Sequence, residues 1–288
     1  KQFYHCFGCG AHGNAIDFVA GDNHTRDFTV SGDGETIYII KCQPGTAAAQ
    51  LISYESETGR ELKTVNLSMD DSYTTGLHGL ANTLMTDDKG NICVTGMKLA
   101  GGKQISVGKI DPASGSVTTV VSIPESSKRI DHTALVGDVD GTFYLFAATS
   151  NDQTVYRWKV VNGKLSKTET MTISNPGYNP RVFALDESHI FIDGTASTIG
   201  YYTWGSGTPT GTFDSATSLK PTTTITDGGA YFTYDGMPML VYATGNYTSG
   251  VRYRLTYGKS LPASYSGLTS LWEFPSHENG LGTSDPKN

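Results

Sequence analysis

Histidine and arginine side chains recur at one place in the repeating pattern of this 288-residue chain. Six short segments share this place: 22–26, 76–79, 128–132, 178–181, 227–231 and 276–279. Their candidate site residues are His24, Arg26, His78, Arg129, His132, Tyr178, Arg181 and His277. Such groups donate hydrogen bonds to polar ligands, and an imidazole can also act as a general base. If they converge on one concave surface, they form a ligand-binding or catalytic rim.

The same residues also have a structural interpretation. Repeats copy their residues, so a histidine that precedes a strand can cap a turn or stack on the neighbouring repeat. No nucleophile elbow, metalloprotease helix, phosphate loop or dinucleotide fingerprint occurs in the sequence. Catalysis would therefore depend on the rim histidines, tyrosine and arginines alone. The structural, binding and catalytic interpretations of the rim all stay open.

The elements that would position these residues follow from two phased turns. An Asp and Gly turn before an apolar, aromatic run recurs about every fifty residues, a spacing typical of blade-type repeats. These turns contain Asp33, Asp88, Asp140, Asp235 and, in a degenerate copy, Asp186. A second turn in four of the repeats ends in Gly59, Gly115, Gly163 or Gly258. The runs between the turns alternate and are rich in β-branched residues, which predicts four short strands per repeat.

Four antiparallel strands repeated radially form a β-propeller, and we predict this all-β fold for residues 22–288. In the second repeat the strands are expected near 83–86, 91–97, 104–110 and 116–123. A large β-sandwich is the alternative, but its turns would not keep this double phase. Five full repeats are visible between residues 28 and 274, and residues 275–288 resemble the start of a sixth. We expect a closed or nearly closed ring with this tail docked against the first blade.

Composition excludes several classes of function. The formal net charge is −7, and Lys128-Arg129 is the only basic pair that stands out. This balance argues against nucleic acid as a partner, because nucleic-acid affinity depends on basic side chains. No apolar run reaches the roughly twenty residues that span a bilayer. Thr, Ser, Asn and Tyr are plentiful, which suits a binder of polar ligands outside the cytoplasm.

Residues 1–18, KQFYHCFGCGAHGNAIDF, resemble the second half of the zinc-binding domain of bacterial DNA primase. The resemblance implies that Cys6 and Cys9 are zinc ligands and that an upstream Cys-x-x-His pair supplies two more. That pair is not in this sequence, so His5 and His12 are the candidate replacements. We treat residues 1–21 as a separate zinc-motif fragment or N-terminal arm. Apart from a zinc ion at residues 5–12, no cofactor is expected.

The repeats resemble uncharacterised secreted β-propellers of Bacteroidota in their Asp-x-x-Gly turns, Thr/Ser-rich strands and Asp-Pro-x-Ser-Gly connections. The resemblance implies an extracellular, periplasmic or cell-surface protein that binds or scaffolds, within a system for acquiring glycans. Its partner would be a small molecule, a glycan or a protein at the rim. The alternatives are a propeller-type polysaccharide lyase or hydrolase that uses the rim residues, and a zinc-binding, DNA-contacting N-terminal segment. Cys42 and Cys93 are expected to be buried free thiols, and a disulfide between them is the alternative.

Overall fold

The structure is a computed structural model of the whole chain. It describes residues 4–5, 12–13, 25–42, 48–73, 83–98, 104–124, 130–149, 153–173, 181–193, 199–208, 211–212, 229–234, 237–246, 250–257 and 269–275. The chain divides into two compact units, Lys1–Leu145 with Trp158–Thr168, and Phe146–Arg157 with Glu169–Asn288. The described residues form five four-stranded antiparallel sheets, numbered I to V in chain order, whose strands pair in the order in which they follow one another.

The first unit begins with a short hairpin, β1 (Tyr4–His5) and β2 (His12–Gly13). Sheet I contains β3 (Thr25–Val30), β4 (Thr36–Cys42), β5 (Ala49–Glu55) and β6 (Glu61–Asn66). A 3-10 turn, η1, covers Asp71–Tyr73. Sheet II contains β7 (Leu84–Thr86), β8 (Ile92–Lys98), β9 (Gln104–Ile110) and β10 (Val117–Pro124). The four strands predicted for the second repeat are therefore confirmed, with bounds that differ by one residue at most.

Sheet III contains β11 (Ile130–Gly137), β12 (Thr142–Thr149), β13 (Thr154–Val161) and β14 (Lys164–Thr172). Sheet IV, in the second unit, contains β15 (Arg181–Ala184), β16 (His189–Asp193), β17 (Ile199–Thr203) and β18 (Gly211–Thr212). Sheet V contains β19 (Gly229–Tyr234), β20 (Met237–Asn246), β21 (Gly250–Tyr257) and β22 (Thr269–Pro275). The degenerate repeat around Asp186 thus forms a sheet like the others.

Burial along the strands follows the position of each strand in its sheet. In β9, a middle strand, five of the seven residues are buried, whereas none of the six residues of the outermost strand β6 is buried. Sheets I and II pack face to face, which covers one face of their middle strands. One core cluster joins Ile40 and Leu51 of sheet I to Val94 and Ile110 of sheet II. Burial of each such side chain stabilises the fold by about 1.5–3 kcal/mol.

The outermost strands of three sheets carry a β-bulge. The register shifts once in each of β6, β10 and β22, leaving Leu62, Val120 and Leu271 as the extra residues. A bulge bends the strand and increases its local twist. Within the described residues, no helix is long and apolar enough to cross a membrane.

Candidate functional site

The described residues of the predicted rim lie in the first strands of the sheets. In the first unit β3 lies beside β7, and β7 lies beside β11. Asp27 Oδ2 accepts the main-chain N–H of Leu84 at 2.8 Å, and Thr83 Oγ1 accepts the N–H of Thr133 at 3.3 Å. A side chain near the start of one first strand therefore binds the backbone of the next. These bonds lie at the end of the sheets where the first strands begin, near Asp27, Thr83 and Thr133. We call this end of the sheets the starting edge.

The other ends of the same strands are also linked. The hydroxyl groups of Thr29 and Thr86 are 2.9 Å apart, and Thr86 Oγ1 donates to the carbonyl of Val30 at 2.6 Å. Nearer the starting edge, the hydroxyl groups of Thr95 in β8 and Thr133 in β11, both buried, are 2.7 Å apart. Because both ends of β3 and β7 are tied to each other, residues at the starting edge are held on a rigid support.

Arg26 occupies a β-bulge at this edge. Thr25 pairs with Lys41 and Asp27 pairs with Ile40, so Arg26 is the extra residue of β3. Bulges often lie beside binding sites, where they re-aim a side chain. The register also places Arg26 next to Lys41, at the end of β4.

His132 lies in β11 and is half-buried. It precedes Thr133 just as Thr83 precedes Leu84, and both Leu84 and Thr133 donate their N–H to the previous first strand. His132 is therefore equivalent to Asp27 and Thr83, the two residues that link first strands. This position suits a strand-linking residue, as the structural interpretation of the rim expects, as well as a ligand-binding one.

The remaining predicted rim residues lie in the second unit or outside the described residues. Arg181 is the first residue of β15, which lies beside β19 in the second unit. Five of the predicted rim residues lie outside the described residues: His24, His78, Arg129, Tyr178 and His277. The structure thus brings Arg26 and His132 to the starting edge of one unit, while the convergence of the full set stays a prediction.

The N-terminal hairpin places the two histidines of the predicted zinc site. His5 of β1 is directly opposite His12 of β2 in the antiparallel register. Cys6 and Cys9 belong to the segment between these strands and lie outside the described residues. Two thiolates and two imidazoles are donors that zinc accepts in structural sites, so this donor set fits the ion. Elsewhere in the described part of the chain, no three His, Cys, Asp or Glu residues form a metal-binding group.

The recurring aspartates are used by the turns between first and second strands. Asp33, Asp87, Asp138 and Asp186 each accept the main-chain N–H two residues further on. The carboxylate that accepts this N–H is therefore Asp87 in sheet II and Asp138 in sheet III. The sequence pattern had instead aligned Asp88 and Asp140 with Asp33. Asp88 instead binds Gly137, and Asp140 pairs with Lys109 at 2.6 Å. These carboxylates hold turns and sheets together.

The turn of sheet IV also contains an Asp–His pair that the sequence pattern did not reveal. His189 Nδ1 lies 2.8 Å from Asp186 Oδ2. Partial burial raises the pKa of Asp186, but the bonds from His189 and from the main-chain N–H of Ser188 outweigh it and lower that pKa overall. The pair stabilises the turn in the range where Asp186 is ionised.

An arginine cluster in the second unit connects sheets III and IV. Arg157 of β13 binds Glu169 at 2.7 Å and donates to the carbonyl of Glu187 at 2.6 Å. Its guanidinium also lies 4.4 Å from the ring centroid of Trp204, which meets Phe146 edge to face. The guanidinium therefore binds three partners, and Trp204, just after β17, packs against it and against Phe146.

Cys93 is buried, as predicted, and is not in a disulfide. Burial, with a smaller contribution from Asp87, raises the pKa of its thiol to about 12. The thiol is thus protonated at neutral pH and is a poor nucleophile. The side chain of Cys42 lies outside the described residues.

Comparisons with known proteins separate the N-terminus from the rest. Residues 1–32 match the family model of the CHC2 zinc finger. Over 19 residues the chain is 95% identical to the DNA primases of Escherichia coli (strain K12) and Salmonella typhimurium, covering 7% of this chain. The chain spans only 3% of the length of these primases. The predicted likeness of the N-terminal segment to the primase zinc domain is confirmed.

Solved structures resemble nearly the whole chain. A DUF4623 family protein from Bacteroides eggerthii has a TM-score of 0.59 at 10% identity, over 91% of this chain and 63% of its own. The RRP9 WD40 repeats give 0.52 at 12% identity, over 89% and 82%. A candidate 6-phosphogluconolactonase from Bacteroides fragilis gives 0.52 at 16% identity, over 93% and 75%. At such identities the likeness concerns the fold alone, and it confirms a β-propeller type of fold.

Proposed function

We propose that this chain is a non-catalytic binding or scaffolding propeller whose ligand docks at the starting edge. The observation that carries the proposal is the lateral linkage of the first strands by Asp27 and Thr83, which makes this edge a rigid platform. Preorganised polar groups lower the entropic cost of binding. A polysaccharide at the cell surface is the proposed ligand class.

The chemistry of the described residues also supports binding rather than turnover. The recurrent aspartates are occupied by turn N–H groups, and the Cys93 thiol is held protonated. The similar solved structures carry names as different as WD40 repeats and a lactonase, and a shared fold does not transfer an activity. A lyase or hydrolase that uses rim residues is the alternative, with His132 as its candidate base.

Affinity electrophoresis against neutral and acidic polysaccharides tests the proposal, combined with an assay for released sugar ends. We expect retardation by at least one polysaccharide, weakened by H78Q and H132Q together, with no product. H189Q, at the turn of sheet IV, is the matched control and should leave retardation unchanged. Product release that H132Q abolishes would establish the enzyme alternative instead. Absence of retardation across the panel would refute polysaccharide binding.

A zinc-binding N-terminal segment is the second proposed function. It is favoured by the CHC2 match and by the pairing of His5 with His12. Cys6, Cys9, His5 and His12 would hold the ion, which would supply a structural cross-link of the segment. Metal analysis of protein purified without added zinc should give one zinc per chain, lost in C6S/C9S and retained in the control C42S. A metal-free wild-type protein would refute it, whereas zinc retained in H5Q/H12Q would refute only the two histidine ligands.

Ring closure and location extend the first proposal. We propose that the five sheets, with residues 275–288 as the start of a sixth, form a closed or nearly closed ring in an extracellular, periplasmic or cell-surface protein. Support comes from the propeller-type fold of the similar structures. A compact chain of this length has a radius of gyration of about 19 Å, so small-angle scattering that gives a much larger value would contradict closure.

A further inference from the structure

The second turn of sheet III places an asparagine directly before its glycine. β13 and β14 are joined by two residues, Asn162 and Gly163, whose φ angles are 49° and 72°. Both angles are positive, as in the type I′ hairpin turn for which Asn-Gly is a favoured sequence. In the equivalent turns the glycine follows Thr58 in sheet I and Ser114 in sheet II. An asparagine in this place can undergo a reaction that those hydroxyl residues cannot.

The reaction joins the asparagine side chain to the backbone of the next residue. The main-chain nitrogen of Gly163 attacks the side-chain carbonyl carbon of Asn162, so a C–N bond forms and a succinimide ring closes. The side-chain nitrogen leaves as ammonia and takes up the proton that the Gly163 N–H loses. Water then opens the ring at one of its two carbonyl groups, which gives aspartate or isoaspartate. Asparagine is among the residues that age most readily in proteins, and water is the one co-reactant needed here.

Both reacting groups of this turn are accessible. Asn162 is exposed, and its side-chain amide forms no hydrogen bond within the described residues. In a β-turn the hydrogen bond runs between the fourth and the first residue, the positions of Lys164 and Val161, so the Gly163 nitrogen takes no part in it. That nitrogen also meets no acceptor in the part of the chain that the structure describes. Because glycine has no Cβ, its own residue does not shield the nitrogen from attack.

Asn66 and Asn91 are the other asparagines whose side chains the structure describes, and both are restrained. The side-chain oxygen of Asn66 accepts a hydrogen bond from a glutamine of β5 at 3.0 Å, and the N–H of the following Leu67 donates to a main-chain carbonyl at 2.9 Å. The side-chain nitrogen of Asn91 donates to Asp87 at 2.9 Å. The residue after Asn91 is Ile92, which is β-branched and buried. Of these three asparagines, Asn162 is the one at which both reacting groups are unbonded.

The turn is held on two sides, so the two products differ in what they preserve. The N–H of Asn162 donates to the carbonyl of Gly141 at 2.7 Å, and a methyl group on Gly163 would lie 3.0 Å from the Val120 carbonyl oxygen of β10. Aspartate leaves the backbone unchanged, and Asp-Gly is also a type I′ sequence. Isoaspartate lengthens the backbone of the loop by one carbon atom. Since loop length fixes the turn type and the strand register, a two-residue loop does not absorb this atom without losing its contacts.

We propose that Asn162 is a site of spontaneous modification in the folded protein, and that isoaspartate at this position releases the second turn of sheet III from sheet II. The exposed amide and the unbonded nitrogen of Gly163 make the ring closure accessible without unfolding. The tight fit of the turn against Gly141 and Val120 makes the isoaspartate product disruptive. Both products also place a carboxylate where the turn had a neutral amide, so each adds one negative charge at neutral pH.

The test stores the full chain at mildly alkaline pH, once folded and once unfolded in urea, and follows it by tryptic digestion and mass spectrometry. Trypsin cleaves after Lys159 and Lys164, so Asn162 lies in the short peptide 160–164. In the folded chain we expect this peptide to gain the mass difference between an amide and a carboxylic acid and to separate into aspartate and isoaspartate forms. Asn66 and Asn91 should react about tenfold more slowly or less in the folded chain, the effect of roughly 1.4 kcal/mol in the barrier.

Asn162→Asp is the matched control, because it carries the charge of the products on the original backbone. The isoaspartate-containing fraction of the stored wild type should unfold at a temperature lower by about 2 °C or more, whereas N162D stored in the same way should unfold like the fresh protein. A peptide 160–164 that reacts in urea but not in the folded chain would show that the turn protects Asn162, and it would overturn the proposal. Equal reaction of all three asparagines in the folded chain, or no reaction of Asn162 in either sample, would overturn it as well. Isoaspartate without any loss of unfolding temperature would refute the release of the turn.

Discussion

Tyr73 shows how single residues hold the sheets together. A methyl group on Gly96 would lie 2.5 Å from the Tyr73 Cα, and one on Gly108 would lie 2.6 Å from its hydroxyl oxygen. That hydroxyl also meets Thr119 Oγ1 at 2.9 Å. Tyr73 is 2% exposed, so this ring fills a space on sheet II that glycines leave open. Nothing in the repeat pattern marks Tyr73, because the contact joins residues far apart in sequence.

Gly108→Ala should destabilise the protein by about 1–3 kcal/mol, because the added methyl overlaps the Tyr73 hydroxyl. Tyr73→Phe alone should cost about 1 kcal/mol through the lost hydrogen bond. In the double variant the two costs should not add, since the smaller ring relieves part of the overlap. Urea unfolding of the four proteins measures the coupling. Strict additivity would show that the ring and Gly108 do not compete for this space.

The Asp186–His189 pair predicts a pH dependence. The pKa of Asp186 is lowered from its ordinary 3.8 in the folded protein, so its ionised form stabilises the fold. That stability is present above about pH 4 and is lost as pH falls below this value. Asp186→Asn should therefore reduce stability at pH 7, and its difference from the wild type should shrink on acidification. A difference in unfolding midpoint that stays constant from pH 7 to pH 3 would contradict the assignment.

At the scale of elements, the second turns of the repeats act as contacts between sheets. A methyl on Gly115 would lie 2.2 Å from the Asn66 carbonyl oxygen of β6, on Gly163 3.0 Å from that of Val120 in β10, and on Gly207 2.3 Å from that of Thr172 in β14. Each turn thus approaches the outermost strand of the sheet before it. Glycine is required at all three positions for space, and at Gly115 and Gly163 also for a positive φ.

Gly115 and Gly34 separate these two requirements, since both have a φ of +77° but only Gly115 has a neighbour within 4 Å. Gly34→Ala should cost about 1 kcal/mol, the strain of an alanine in this conformation. Gly115→Ala should cost at least about 1–3 kcal/mol more, because its methyl meets the Asn66 carbonyl. Thermal or urea unfolding compares them. Equal losses would mean that the sheets separate without cost at this point.

These elements also show what could be read from the sequence. The strands of sheet II and the glycines at positions 115 and 163 were predictable, because local alternation and turn chemistry depend on neighbours in the chain. Gly207 was not, since it falls outside the phased pattern and its reason is the Thr172 carbonyl of another sheet. The capping role of Asp87 rather than Asp88 was missed because both residues fit the turn in sequence. At the candidate site, Arg26 and His132 were predictable as rim positions, but the bulge that places Arg26 beside Lys41 was not.

For the whole molecule, the N-terminal match and the first sheet overlap in sequence. The CHC2 match ends at residue 32, whereas β3 spans Thr25–Val30 and is bonded to both β4 and β7. A boundary at residue 21 therefore leaves sheet I intact, and a boundary at residue 32 removes its first strand. The zinc motif and the propeller fold share a stretch of sequence but need different residues within it.

Deletion of residues 1–21 should shift the unfolding temperature by less than about 3 °C, the effect of roughly 1 kcal/mol in a chain of this size. Deletion of residues 1–32 should prevent cooperative unfolding, because β4 loses its partner and Leu84 loses the Asp27 carboxylate. Calorimetry of the two shortened proteins provides the comparison. If both deletions lower the unfolding temperature equally, the first 21 residues are an integral part of the fold.

The bulges in the outermost strands affect whether copies of the protein associate through their strands at high local concentration. In sheets I, II and V the hydrogen-bond ladder of the outermost strand is interrupted, at Leu62, Val120 and Leu271 respectively. A strand bent in this way offers a poor template for pairing with another chain. Molecules held close together on a surface would therefore remain separate and would not join edge to edge into fibres.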